Sequence, residues 1–136
     1  MKRLPDWRAR LSAYLDRVKH RPFDEVAFNC GLFPAGAVAA MTGIDFAADY
    51  RGYKTMAGQL RRLRREGFAD HAALAGTVFE TIHPSRARLG DLAAFAVDDP
   101  LGVALGIVNG ERSFVLRPDG LGTIATLTAQ RAFKVP

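Results

Sequence analysis

Asn29-Cys30-Gly31-Leu32-Phe33-Pro34-Ala35-Gly36-Ala37-Val38-Ala39-Ala40-Met41-Thr42-Gly43 is the stretch on which the reading of this chain turns. Small apolar residues carry a helix over 32–42. Gly43 is placed to end it in the left-handed conformation that glycine adopts without steric cost. The alanines and glycines permit close approach of a neighbouring element. Pro34 would clash with the carbonyl of residue 30 inside a regular helix, so the helix is expected to begin near Leu32. Cys30 is the single cysteine of the chain. A helix start favours negative charge and therefore a thiolate.

Outward from this stretch, 5–19 reads as an amphipathic helix. Leu4, Trp7, Leu11, Leu15 and Val18 line one face, Pro5 suits the first turn, and Pro22 stops the run. Further helices are expected over 55–66 and 69–79. After Pro84 the pattern changes. Strands are expected over 92–97, 103–108, 113–116, 123–127 and 132–135, with Asp98-Asp99-Pro100 as a break. Asn109-Gly110 signals a hairpin whose two central residues take positive φ. Helices followed by an antiparallel meander of about five strands indicate one α+β domain over 1–136.

Composition narrows the function classes. The hydrophobic fraction of 49% and charged fraction of 24% are those of a globular protein. No apolar run is long enough to span a membrane, and the N-terminal residues lack an apolar signal core, so synthesis in the cytoplasm is expected. One cysteine and three scattered histidines (His20, His71, His83) exclude an internal disulfide and argue against structural zinc. Gly120-Leu121-Gly122 is too short for a phosphate loop, and no cofactor is expected. Part of the net charge of +5 gathers at Arg61, Arg62, Arg64 and Arg65. Met56, Leu60, Leu63 and Gly67 form the inner stripe of that helix. The arginines therefore face outward, as a solvated face or a surface for an acidic partner. No aromatic residue is interleaved with them, which disfavours nucleic acid.

The order of these features resembles the NlpC-type cell-wall peptidases, which have a papain-like fold. More closely, it resembles a phage-encoded, tail-gene-associated branch of their relatives. The residues that carry the resemblance are Asn29-Cys30, Thr42-Gly43-Ile44-Asp45, Tyr50-Arg51-Gly52-Tyr53, Gly90-Asp91 and Leu105-Gly106-Ile107, with Asp119-Gly120-Leu121 further on. They span nearly the whole chain. The resemblance implies a cysteine that attacks an amide carbonyl, a histidine on a facing strand that takes its proton, and a polar residue on the next strand that orients the histidine. Laid on Val103-Ala104-Leu105-Gly106-Ile107, the family's histidine falls on Ala104, which cannot accept a proton. The orienting residue falls within 113–116, where Ser113 alone is polar. Asn29 replaces the aspartate that precedes the family's cysteine.

The expectation is a papain-like α+β domain, helices packed on a C-terminal antiparallel sheet, with Cys30 at the nucleophile position but inactive. The resemblance implies a structural or assembly component of a phage tail tip or baseplate. Its partners would be tail hub proteins, its place the virion, and it would hold no metal. Two other functions stay open. One is an active cysteine peptidase or amidase that cuts peptidoglycan during genome entry, with His83 as its base. The other is nucleic-acid binding through Arg61, Arg62, Arg64 and Arg65. His71 and His83 are expected at the surface, and His20 as a helix C-terminal cap.

Overall fold

A computed structural model describes residues 1–24, 28–29, 31–98 and 102–136. Cys30 lies outside the described residues, as do Asp99 and Pro100 of the expected break. Four helices, α1 (Trp7–Val18), α2 (Leu32–Thr42), α3 (Met56–Arg65) and α4 (His71–Val78), precede the strands. The strands are β1 (Glu80–Ile82), β2 (Leu92–Ala96), β3 (Val103–Val108), β4 (Arg112–Arg117), β5 (Gly120–Ala125) and β6 (Arg131–Lys134). They form one sheet in the order β1-β6-β2-β3-β4-β5, antiparallel at every pairing. The sheet thus has one strand more than the sequence announced. β1 is a three-residue edge strand, too short to show an alternating pattern.

α2 is the buried centre. Phe33, Ala35, Ala37, Val38 and Met41 are all 0% exposed. Its small residues admit α1: a Cβ on Gly36 would lie 2.3 Å from the Tyr14 hydroxyl oxygen. That hydroxyl donates to the Phe33 carbonyl at 2.8 Å, and the two rings stack at 6.2 Å. The main core lies between the helices and one face of the sheet. Leu11, Phe33, Val38 and Met41 meet Leu92, Leu105, Ile107, Leu116 and Phe133 there. A second cluster joins α2, α3 and α4 through Leu32, Ala35, Tyr50, Leu63 and Leu74. The opposite sheet face carries Ala93, Phe95, Val108 and Val115, with Ala87 and Ala129 packed over them.

The ends of the described chain are tied to the sheet. The Arg3 amide donates to the Pro136 carbonyl at 2.7 Å. Its guanidinium donates to Asp91 Oδ1 at 3.0 Å and to the carbonyls of Leu89 and Val135 at 2.9 and 3.0 Å. Asp91 also accepts the amides of Arg88 and Val135. Gly90, at φ 88°, turns the chain into this tie, and a Cβ there would meet Arg3 and Met41.

The β3–β4 connection departs from the tight turn that Asn109-Gly110 predicts. Only Gly110 has positive φ, and the last register pair before the loop is Val108 with Ser113. The Asn109 amide donates to the Arg112 carbonyl at 3.0 Å, so the two-residue turn is shifted by one position onto Gly110-Glu111, and Thr126 holds it there, its amide donating to the Glu111 carbonyl and its hydroxyl to the Gly110 carbonyl. Tertiary hydrogen bonds therefore outweigh the local turn preference.

Candidate functional site at the start of α2

Asn29 prepares the start of α2. Its side-chain oxygen accepts the amides of Gly31 and Leu32 at 3.0 and 2.9 Å, satisfying donors that a helix leaves open at its first turn. Because α2 begins at Leu32, Pro34 stands within that first turn, where its missing N–H is not called for.

Behind this cap is a polar relay that sequence reading missed. Asn29 Nδ2 donates to Gln59 Oε1 at 3.0 Å, and Gln59 Nε2 donates to the Tyr50 carbonyl at 2.7 Å. His71 Nε2 lies 3.3 Å from the same Gln59 Oε1. The bonding fixes every orientation. Asn29 must point its oxygen at the two amides, and Gln59 must point its nitrogen at the Tyr50 carbonyl. Gln59 Oε1 can then only accept, so His71 carries its proton on Nε2 and keeps a lone pair on Nδ1. This also explains asparagine at 29: a carboxylate would supply the cap but has no proton for Gln59. Asn29 and Gln59 are 0% exposed and His71 is 4% exposed.

The structure corrects the expectation that His71 is a surface residue. Its ring lies directly on Gly31, where a Cβ would fall 2.2 Å from His71 Cδ2. Burial pushes its pKa down to about 4, against a smaller upward pull from Asp70. The one sequence signal was Gln59 itself. It falls on the arc of α3 between Met56 and Leu63, a polar residue on the buried stripe.

The sheet face opposite α2 holds no counterpart to the family's imidazole. Ala104 pairs with Phe95, and Ser113 with Val108, so both lie on the sheet face turned away from the helices. Both expected positions are thereby corrected by the pleat, since successive strand residues alternate faces. The β3 and β4 side chains packed on the helix side are Val103, Leu105, Ile107, Phe114 and Leu116, all apolar; Arg112, of the same parity, is exposed at the strand end and donates to the Thr123 hydroxyl. Ser113 is engaged elsewhere, with its hydroxyl 2.8 Å from that of Thr126.

The other candidates resolve into structural work. His83 is exposed, and its Nδ1 accepts the Ser85 amide at the start of the turn Pro84–Arg86. Arg62 leaves the basic cluster: it binds Glu66, the Asp49 carbonyl and the Tyr53 hydroxyl, and lies over the Tyr50 ring. Glu66 is held on its other side by the Tyr50 hydroxyl. Arg61, Arg64 and Arg65 remain exposed. Among the described residues, no cluster of ligands could hold a metal ion and no helix is long and apolar enough to cross a membrane.

The fold is similar to that of the crystal structure of the NlpC/p60 domain of the peptidoglycan hydrolase SagA. The match has a TM-score of 0.56 and 16% identity, and covers 93% of this chain and 97% of that one. It places the chain in the papain-like class. Among curated proteins none matches the chain in sequence. A family described as a domain of unknown function (DUF6950) matches residues 2–135, and the chain belongs to that family.

Proposed function

We propose that this chain is a non-hydrolytic domain on the peptidase fold, acting as an assembly component of a phage tail tip or baseplate, or of a phage-derived particle. The observation that carries the loss of hydrolysis is the layer of Val103, Leu105, Ile107, Phe114 and Leu116 facing α2. An amide-cleaving cysteine needs a base within hydrogen-bond reach, and this layer offers none. The assembly role rests on the resemblance of the sequence motifs to tail-associated relatives. Incubation with purified peptidoglycan tests the reading. The wild type is expected to release no more stem peptide than Cys30→Ser, and cysteine-dependent release overturns it.

A second reading rests on His71, whose ring contacts the residue following Cys30. It makes His71 the base of a peptidoglycan-cleaving site. Energetics weigh against it. Proton transfer from an ordinary thiol near 8.5 to an imidazole at about 4 costs about 6 kcal/mol before any attraction within the resulting pair. The pH dependence of Cys30 alkylation separates the two. A midpoint at or above roughly 8.5 fits the non-hydrolytic reading, and one below about 6.5 establishes a thiolate–imidazolium pair.

A further inference from the structure

A broad concavity lies on the outer sheet face, away from α2. It measures about 770 Å³ and sits between β1, the end of β6 and the segment around Pro84–Arg86. Ile82, Ala87 and Val135 supply its apolar part, and Arg86, Arg88 and Lys134 supply cations. Those three cations make no ion pair among the described residues. Arg3, at the same groove, is spent on Asp91 and two carbonyls. Glu80 is the one acidic side chain in the lining besides Asp91, so the free charge of the groove is positive.

The edge of the sheet adds a second feature. β1 pairs with β6 on one side only, and its backbone makes no hydrogen bond on the other side among the described residues. An open strand edge is a template for an extended chain. The groove has no aromatic side chain on which a base could stack, which disfavours single-stranded nucleic acid. Guanidinium groups around an aliphatic patch fit carboxylates flanking an aliphatic side chain.

We infer that this groove binds an extended acidic peptide segment of a partner protein. Its carboxylates meet Arg86, Arg88 and Lys134, and an aliphatic side chain between them rests on Ile82 and Ala87. The inference takes the source of the peptide from the assembly reading. Its test is an affinity and not a cleavage, so the two fail separately.

The probe is a fluorescein-labelled ten-residue peptide of glutamates around a central leucine, followed by fluorescence anisotropy. The double variant Arg86→Glu/Arg88→Glu is compared with Arg61→Glu/Arg64→Glu, which changes net charge equally on α3. The first is expected to weaken binding at least tenfold and the second less than twofold. A peptide with glutamine for glutamate is expected not to bind. Amide resonances of Ile82, Ala87 and Lys134 in the wild type are expected to shift on titration while those of α3 stay in place, a readout that needs no variant. Equal losses in the two variants, no binding by the wild type, shifts confined to α3, or tighter binding of ten-residue oligothymidylate would overturn the inference.

Discussion

Acidification is expected to destabilise this protein through His71. The imidazole is 4% exposed, its Nε2–H is committed to Gln59, and its pKa falls from 6.5 to about 4 on folding. The folded state refuses a proton that the unfolded chain accepts. The contribution of a depressed histidine is therefore fully present above pH 6.5 and is lost as the pH falls toward 4. With those two values the loss is about 2.5 kcal/mol by pH 4.5 and approaches about 3.4 kcal/mol below pH 4. Against a total stability of about 5–15 kcal/mol this is a large share. Urea unfolding at a series of pH values measures it, with His71→Gln as reference. The wild-type curve is expected to fall more steeply than the variant's between pH 6.5 and 4.5, and the difference should track one proton. Superimposable curves would refute the assignment of a buried, neutral His71.

Two further substitutions test the frame around the site. Asp91→Ala strands Arg3, whose guanidinium side chain is 16% exposed, and frees two amides, so a loss of about 3–5 kcal/mol is expected in denaturant unfolding; Arg3→Met in the same background should recover part of it. Gly31→Ala drives a methyl into the His71 ring and is expected to cost about 1–3 kcal/mol, with much of that cost relieved by a smaller side chain at 71.

Much of this architecture was legible because its signals are local. The 32–42 helix, its Gly43 cap and the buried run 103–108 are read from periodicity and residue type, and they stand where expected. The site was less legible because its geometry depends on parity and on distant partners. A shift of one residue in a strand reverses the face on which a side chain lies. Ala104 and Ser113 were placed by motif spacing, and the register with β2 and between β3 and β4 puts both on the far side of the sheet. His71 gave no sign of burial in its own segment, since what buries it are Gly31 and Gln59, contributed by other parts of the chain.

The motifs that carry the resemblance have structural work that is independent of hydrolysis. Gly43 takes φ 81° and closes α2 on Ala39, while the Thr42 hydroxyl accepts the Ile44 amide. Asp45 accepts the Ala47 amide and pairs with Arg51, which also reaches the Leu32 carbonyl. Gly90 and Asp91 bind the N-terminal residues to β6. Gly106 leaves room for the Phe114 carbonyl, which a Cβ would approach to 2.6 Å. None of these contacts needs an imidazole on β3. A chain can therefore keep every one of them and lose proton transfer, because the stability of the fold and the chemistry of its cleft rest on different side chains.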